Sequence, residues 1–435
     1  MKRLSGLLVA RFAIRRLIAV AGAGALLSAG LGVAGASAAD QAGTSTVDTL
    51  AAGTPATSES MQPCAVKYAA GSLYIGAYDA VYKVSQRTGA ATSVGAGFGF
   101  GQACGVAVDG AGNVLVADDD EVVAVAAKTG TFYGKKMIAG RAYPLATGFE
   151  LVTGAVDVQL DPSGNLVVAV GGDEASHTDA ETDSQIFVLA ERTGTFYGKK
   201  MTKGRLYLIA GELNGGPLGD PCDGPDAAAR QAAAPSTATK ATQANLGDVI
   251  GTLRFDAEGN IILADGGSNG DGPCGGGFVI PPRLAVIPAR TGSYYGQKMT
   301  VGYIYAIAGL GTKAGSGVPA VDSDLSAVSA VAIDHAGNIL VAAANNDDYP
   351  RGGIRVIAAK TGTFYGQKMI KGDIYALPGL AYASAVAVDN AGNVLAGNRT
   401  ENLVQMLAVK TGDFYGIKAH AGRTYTIAGN AKSPL

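Results

Sequence analysis

Two sequence patterns alternate along this chain, and their repetition restricts the fold more than any other feature. The first joins an apolar triplet, the motif D-x-x-G-N and a second apolar run, and its copies begin at Val106, Val158, Leu253, Val331 and Val386. Asp and Gly-Asn between two apolar runs are typical of a tight β-hairpin turn, where the backbone needs positive φ. The pattern predicts two strands of a repeated unit. We expect the motif's Asp side chains to bond to turn amides and to have no role in catalysis.

The second pattern is [KR]-T-G-x-[FY]-Y-G-x-K followed by an apolar strand, and its copies begin at Lys128, Arg192, Arg290, Lys360 and Lys410. It predicts a third and a fourth strand joined by a nearly identical loop. The paired aromatic residues allow two interpretations. They could close the loop against their own unit, which five near-identical copies favour, or they could form a stacking platform for sugars.

A sixth, degenerate unit begins at Cys64 and lacks the F-Y-G loop. The count is therefore six units of four short strands within residues 63–430. One four-stranded sheet leaves both faces unburied, and radial stacking of six such sheets gives a continuous core. The sequence predicts an all-β protein, a six-bladed β-propeller of four-stranded antiparallel blades.

These repeats resemble NHL-repeat propellers, in particular a secreted bacterial subgroup whose blades carry T-G-T-F-Y-G-Q-x-M. Five units carry the resemblance strongly and the first carries it weakly. It implies a propeller fold and export. For function it implies a binding platform, although related six-bladed families include lyases and lactonases.

The first 38 residues read as a signal peptide. A positively charged start is followed by an apolar run from Leu17 to Gly35 and by Ala36-Ser37-Ala38, a small-x-small cleavage sequence. We expect cleavage near Ala38 and a secreted protein, with Sec and twin-arginine export both open. A retained membrane anchor is the alternative. Residues 39–62 show no periodicity and are expected to form a flexible linker.

Charge restricts the possible partners. The whole chain has a net charge of −2, and without residues 1–38 the value is −7. An acidic exported protein has little electrostatic reason to bind nucleic acid or an anionic membrane surface. We therefore expect a protein or small-molecule partner, no membrane contact beyond export, and a monomer.

The four cysteines are expected to form two disulfides, as in other exported proteins. Cys64 and Cys104 precede the first strands of consecutive units and should be neighbours. Cys222 and Cys274 lie in long loops around the fourth unit. The predicted pairs are Cys64–Cys104 and Cys222–Cys274.

Insertions fall almost entirely in the loops that leave one face of the predicted propeller, in units three to five. Long loops on one face of a rigid scaffold are the usual anatomy of a binding surface, although they can also be tolerated surface insertions. The candidate binding residues on this face are Asp173, Glu174, His177, Asp271, Asn345, Asp347 and Tyr349.

One inward position of the first strand differs between units. Three units have Ala there, whereas the others have Lys67, Gln159 and Arg254. If these side chains line the central channel, they could hold a polar or anionic ligand. They could equally bond to water or to Asp157, with a purely structural role.

A catalytic zinc site needs about three converging His or carboxylate ligands, and His177 alone among carboxylates does not supply them. We expect no metal site and no catalytic residues. Calcium is the one cofactor left open, because the acidic runs at Asp118–Glu121 and 171–185 are rich in oxygen ligands.

The sequence therefore predicts an exported binding or interaction module without catalysis. The first alternative is a metal-dependent propeller lyase or lactonase. The second is a cell-surface scaffold that binds glycans through the repeated aromatic loops.

Overall fold

The computed structural model describes residues 54–58, 61–119, 121–147, 155–171, 184–211, 238–244, 246–247, 250–269, 279–325, 327–343 and 353–430. In these ranges the chain forms 39 strands and three short 3-10 helices. The larger sheets have four or five antiparallel strands, and six of them follow one another along the chain. This confirms the predicted six-bladed β-propeller of four-stranded blades.

Each blade is built from strands that follow one another along the chain. Three blades have a fifth strand, which precedes the other four in the sequence and pairs with the outermost one. Blade 1 contains β1 (Thr54–Pro55), β2 (Ala65–Ala69), β3 (Ser72–Gly76), β4 (Val81–Ser85) and β5 (Ala90–Val94). Blade 2 contains β6 (Ala103–Val108), β7 (Val114–Asp118), β8 (Glu121–Val125), the small hairpin β9 (Gly130–Phe132) and β10 (Lys135–Met137), and β11 (Ala142–Thr147). Blade 3 contains β12 (Ala155–Leu160), β13 (Leu166–Val170), β14 (Gln185–Leu189), the hairpin β15 (Gly194–Phe196) and β16 (Lys199–Met201), and β17 (Leu206–Ala210).

The second half of the ring repeats this arrangement. Blade 4 contains β18 (Thr239–Lys240), β19 (Ile250–Phe255), β20 (Ile261–Asp265), the pair β21 (Ser268–Asn269) and β22 (Val279–Ile280), β23 (Arg283–Ile287), the hairpin β24 (Gly292–Tyr294) and β25 (Gln297–Met299), and β26 (Tyr303–Ala308). Blade 5 contains β27 (Val318–Pro319), β28 (Ala330–Ile333), β29 (Ile339–Ala343), β30 (Gly353–Ile357), the hairpin β31 (Gly362–Phe364) and β32 (Gln367–Met369), and β33 (Asp373–Leu377). Blade 6 contains β34 (Ala385–Val388), β35 (Val394–Asn398), β36 (Leu403–Leu407), the hairpin β37 (Gly412–Phe414) and β38 (Ile417–Ala419), and β39 (Thr424–Gly429).

The first strand of each blade lies at the centre of the ring. The strands β2, β6, β12, β19, β28 and β34 contact one another in that order, and β34 contacts β2 again. The second strands are buried along their whole length, as in β13 and β20. Their continuous apolar runs suit a strand covered on both faces, here by the neighbouring blades. Leu73 of blade 1 and Leu395 of blade 6 share one such core.

The ring is closed by the segment that enters blade 1. β1 pairs with β5, and the 3-10 helix Ala56–Ser58 that follows it buries Ala56 in the core between blades 1 and 6. Asn430 at the end of blade 6 donates to the carbonyl of Ser58 at 3.0 Å. Residues 54–58 lie within the stretch expected to be linker, and the structure instead makes them part of the propeller. Similar strand and 3-10 pairs enter blade 4 (β18, Ala241–Gln243) and blade 5 (β27, Ala320–Asp322).

The D-x-x-G-N motif forms the turn between the first and second strands, and its Asp binds turn amides as expected. In blade 5, Asp334 Oδ1 accepts from the amides of Ala336 and Asn338, both at 2.8 Å. Its Oδ2 accepts from the Asn338 side-chain amide at 2.7 Å. Asn338 Oδ1 in turn accepts from the Ala359 amide at 2.9 Å, which joins this turn to the end of the third strand. Blades 2, 3, 4 and 6 repeat these bonds from Asp109, Asp161, Asp256 and Asp389.

The F-Y-G loop is itself a small two-stranded hairpin. Its two turn residues have positive φ, 52° for Tyr365 and 76° for Gly366, as in a two-residue type I′ turn. The Tyr365 hydroxyl donates to Asp334 Oδ2 at 2.8 Å, so the hairpin is fastened to the turn of its own blade. The same bond is made by Tyr133, Tyr197, Tyr295 and Tyr415. These contacts match the interpretation of the aromatic pairs as structural.

The predicted disulfide Cys64–Cys104 is present, with an S–S distance of 2.09 Å, and joins blades 1 and 2. The second predicted pair, Cys222–Cys274, lies outside the described residues. None of the helices in the described ranges has the length and apolarity needed to cross a membrane.

Candidate functional site in the central channel

Strands β2, β12 and β19 place three polar side chains at equivalent inward positions. Lys67 Nζ donates to Gln159 Oε1 at 2.7 Å. Lys67 belongs to blade 1 and Gln159 to blade 3, which are not neighbours in the ring, so this bond spans the inner wall in front of blade 2. Blade 2 has Ala107 at the same position, and its small side chain leaves room for the contact. The structure therefore brings two of the three predicted channel residues into direct contact.

Arg254 joins the same cluster through Asp157. Asp157 Oδ1 accepts from Gln159 Nε2 at 3.0 Å, and its Oδ2 accepts from Arg254 Nη1 at 3.1 Å. The backbone amide of Leu253 also donates to Asp157 Oδ2, at 2.9 Å. The result is a continuous chain of polar side chains, Lys67–Gln159–Asp157–Arg254, across three blades. We call these four residues the channel cluster.

The channel cluster combines buried and accessible groups. The Asp157 side chain is 1% exposed and that of Arg254 is 12% exposed. Gln159 is buried, and Lys67 is partly buried. The Arg254 guanidinium thus keeps some contact with solvent, while Asp157 and Gln159 are enclosed. Functional sites are typically built in this way, with buried side chains, here Asp157 and Gln159, that fix the positions of the groups they bind.

Burial changes the protonation of the cluster. Desolvation and, to a smaller extent, the positive charge of Arg254 lower the pKa of Lys67 to about 7, against the opposing effect of the negative charge of Asp157. Burial raises the pKa of Asp157, against the opposing effects of Arg254, the Leu253 amide, Gln159 and Lys67. A lysine that exchanges its proton near neutral pH can act as a general base or acid.

Sequence reasoning predicted three members of the cluster as channel residues and treated Asp157 only as a partner that could bind them. The sequence feature that could have identified Asp157 as a channel residue is its spacing from Gln159. It lies two residues before Gln159, so both side chains point to the same side of strand β12. At the two equivalent positions of the first strand, only blades 3 and 4 have two polar residues, and only blade 3 has a carboxylate. Blade 4 has Thr252 two residues before Arg254, and its hydroxyl accepts from the Val331 amide of blade 5 at 2.9 Å.

A second buried ion pair, missed by sequence reasoning, lies in blade 4. Arg283 Nη2 and Asp265 Oδ2 are 2.6 Å apart and both side chains are almost fully buried. Asp265 Oδ1 also accepts from the amides of Gly247 and Gly267. The pair anchors the start of β23 to the end of β20, where the long loops of blade 4 begin.

The predicted loop-face residues Asp173, Glu174, His177, Asp271, Asn345, Asp347 and Tyr349 all lie outside the described residues. On the part of that face that is described, a cleft of about 820 Å³ lies between blades 5 and 6. Its lining includes Arg355, Tyr382 and Glu401. Arg355 is held by the carbonyls of Asp324 and Gly315, at 2.7 and 2.8 Å.

The acidic run 118–121 begins at the last residue of β7, and its Asp120 lies outside the described residues. Asp118 is buried, and its Oδ1 accepts from the amides of Gly101 and Gln102 at 2.9 and 2.8 Å. In the described ranges there is no group of three His, Cys, Asp or Glu side chains placed to hold a metal ion. The other acidic run, 171–185, lies almost entirely outside those ranges.

The fold and the channel cluster define a six-bladed β-propeller with a polar, cation-bearing central channel. No protein-family model matches the sequence, and no curated protein sequence matches it.

Among solved structures, the chain is similar to a luciferin-regenerating enzyme at 11% identity, with 82% of this chain and 87% of that chain covered and a TM-score of 0.43. It is similar to a gluconolactonase from Xanthomonas campestris at 11% identity, with 75% and 80% covered and a TM-score of 0.40. It is also similar to regucalcin, a calcium-binding protein from Agrobacterium tumefaciens, at 12% identity, with 85% and 97% covered and a TM-score of 0.46. Two of these three proteins are enzymes by name, whereas we predicted a binding module without catalysis.

Proposed function

We propose that this protein is an enzyme that hydrolyses small lactones in its central channel, with Lys67 as the proton-transfer group. The observation that supports the proposal most is Lys67 itself, a lysine whose pKa is lowered to about 7 and whose amine is held at 2.7 Å by Gln159. Strongly shifted pKa values produced by burial together with specific charged partners are characteristic of functional sites.

The proposed reaction uses the chain's own residues. The neutral Lys67 amine takes a proton from water, and the resulting hydroxide attacks the lactone carbonyl carbon. The Arg254 guanidinium stabilises the negative charge that develops on the carbonyl oxygen. The ring C–O bond then breaks, and the Lys67 ammonium returns its proton to the departing alkoxide. The product is a hydroxy acid whose carboxyl group then releases its remaining proton to solvent, and the carboxylate forms next to the Arg254 guanidinium.

Gln159 and Asp157 act as positioning residues in this proposal. Gln159 accepts from Lys67 and donates to Asp157, so it fixes the lysine amine relative to Arg254. Asp157 holds Arg254 through one oxygen and Gln159 through the other. Because Arg254 compensates the negative charge of Asp157, this carboxylate does not raise the pKa of Lys67 back to the usual range of a lysine.

The channel cluster does not fit a metal site. It contains a single carboxylate, which already binds a guanidinium and a backbone amide, beside two cationic side chains. Divalent cations in proteins prefer several oxygen or imidazole ligands. The proposed mechanism therefore has no metal-dependent step. Calcium binding by the acidic loop 171–185 is a separate proposal, which elemental analysis of the dialysed protein tests.

We further propose that residues 1–38 direct export, that residues 39–53 form a linker, and that the mature protein is a secreted, monomeric NHL-type propeller of residues 54–430. The disulfide Cys64–Cys104 supports export, since disulfides persist mainly in oxidising compartments. Mass spectrometry of the protein recovered from culture medium tests the cleavage site near Ala38.

The function is tested by pH-stat titration of acid release from a panel of small γ- and δ-lactones. We expect turnover by the unmodified protein, with a rate that rises through pH 7 to a plateau and is insensitive to chelators. Lys67→Met should reduce kcat at least about 100-fold, the typical contribution of one general base. Lys83→Met removes an exposed lysine of the same blade and is the matched control.

Three results would contradict this function. The first is full activity of Lys67→Met, the second is equal loss in Lys83→Met, and the third is loss of activity with a chelator. Absence of turnover with every lactone would overturn the substrate class.

A further inference from the structure

The small hairpins and their flanking turns hold half of the Lys and Arg residues of the chain. The segments 127–141, 191–205, 289–302, 359–372 and 409–423 each contain one hairpin and its flanking turns. Together they hold 17 of the 34 Lys and Arg residues but only two of the 36 acidic residues, Glu191 and Asp413. These segments therefore carry a net charge of +15, and the rest of the chain carries −17. We call the five segments the basic hairpins.

Strand alternation directs one lysine of each hairpin to solvent. In blade 5, Gln367 donates to the Ala376 carbonyl of the outer strand at 3.0 Å, and Met369 is buried. Lys368 lies between them and points the other way, so it is exposed. The equivalent lysines of the other four basic hairpins, Lys136, Lys200, Lys298 and Lys418, are also exposed.

A hydroxyl side chain faces most of these lysines across the hairpin. Thr131 pairs with Lys136, Thr195 with Lys200, Ser293 with Lys298 and Thr363 with Lys368. Blade 6 differs, because Lys418 pairs with Asp413 and lies 3.7 Å from its carboxylate. Four hairpins thus present an ammonium beside a hydroxyl, a combination of donors that suits phosphate or sulfate oxygens.

The basic hairpins lie on one face of the ring. Each hairpin tyrosine bonds to the first turn of its own blade, as Tyr365 does to Asp334, so all five occupy the same place in their blades. Neighbouring hairpin segments can also touch. A Cβ added at Gly198 of blade 3 would lie 3.4 Å from Val301 of blade 4. The Lys and Arg side chains of the basic hairpins are therefore arranged one blade after another along the same face of the ring.

We propose that the basic hairpins form a binding surface for a linear acidic polysaccharide that carries sulfate or phosphate esters. A linear polyanion contacts several repeated cations at once and releases its counterions on binding. The aromatic side chains favour a polysaccharide over single-stranded nucleic acid. The tyrosine hydroxyls are bonded to the turn carboxylates, and the Phe364 ring packs over Gly362 of its own hairpin. Of the ten rings in the five hairpins, nine are partly or fully buried and only Tyr295 is exposed, so they offer few of the free stacking faces that bases need. The proposal does not depend on the channel cluster or on lactonase activity.

The test uses the full chain and heparin, a linear sulfated polysaccharide, as the probe. The variant replaces four unpaired hairpin lysines by glutamine: Lys136→Gln, Lys200→Gln, Lys298→Gln and Lys368→Gln. The matched control removes the same charge from exposed positions outside the basic hairpins: Lys83→Gln, Lys240→Gln, Lys313→Gln and Arg399→Gln. Calorimetry at several salt concentrations gives Kd and its salt dependence, and circular dichroism confirms that both variants are folded.

We expect the unmodified protein to bind heparin and the hairpin variant to bind at least about tenfold more weakly. The slope of log K against log salt should fall by roughly 2 to 3, since each ionic contact to a single-stranded polyanion contributes about 0.7. The control should stay within about twofold of the unmodified protein. Absence of heparin binding at low salt, or equal weakening in the control, overturns the proposal. Tighter binding to a single-stranded oligonucleotide of equal charge overturns the assignment to polysaccharide.

Discussion

Replacing Lys67 by methionine should change how the free energy of unfolding depends on pH. The folded protein holds Lys67 with a pKa of about 7, against 10.5 as the ordinary value. Between these values the unfolded chain binds a proton that the folded chain does not, so the stability of the unmodified protein rises with pH in this window. Below pH 7 both states carry the charge, and the full cost of charging the buried amine opposes folding.

The size of this effect follows from the shift. One pKa unit corresponds to about 1.4 kcal/mol, so a shift of this size amounts to at most about 5 kcal/mol. Lys67 is only partly buried, and solvent screening reduces the value. We expect about 2–3 kcal/mol, gained mostly between pH 7 and 10. Methionine preserves the length and apolar character of the side chain but removes the charge.

Urea unfolding of the unmodified protein and of Lys67→Met at pH 7, 8, 9 and 10 measures the effect. The stability of the unmodified protein minus that of the variant should increase steadily across this range. Taking the difference cancels the titrating groups that do not interact with Lys67. A difference that stays constant from pH 7 to 10 would refute the reasoning. The reasoning would also be refuted if the stability of the unmodified protein minus that of Lys83→Met rose by the same amount over this range.

Two further predictions concern the scaffold. Tyr365→Phe removes a hydroxyl that donates to the Asp334 carboxylate, and it should cost about 1–2 kcal/mol in urea unfolding. Tyr382→Phe, at an exposed tyrosine, is the control, and an equal loss there would contradict a specific role for the bond. The double substitution Cys64→Ala and Cys104→Ala opens a cross-link between residues 40 positions apart. It should cost about 4 kcal/mol by the chain-entropy relation, and a loss below about 1 kcal/mol would show that the disulfide does not constrain the unfolded chain.

The blade count and the turn chemistry were predictable because they are local. A turn Asp such as Asp334 bonds to amides two and four residues further along the chain, and five copies of the motif repeat that geometry. The disulfide Cys64–Cys104 was predictable for a similar reason, because equivalent positions of consecutive blades are neighbours.

The bonds between the repeated motifs required the structure. The Tyr365–Asp334 contact joins the two sequence patterns of one blade across 31 residues, and neither pattern alone indicates its partner. The segment Thr54–Ser58 has no periodicity of its own, because its place is set by pairing with β5 and by packing between the first and last blades.

The sequence by itself determined that this protein is a six-bladed β-propeller, because strand alternation and turn residues act over a few positions and are written in every repeat. It also placed Lys67, Gln159 and Arg254 at equivalent inward positions. Only the tertiary structure decided what these side chains do to one another. The Lys67–Gln159 bond joins residues 92 positions apart, and its effect on the lysine pKa comes from burial and from charges on other blades. Desolvation and Coulomb interactions depend on distances through space, which the order of residues along the chain does not contain.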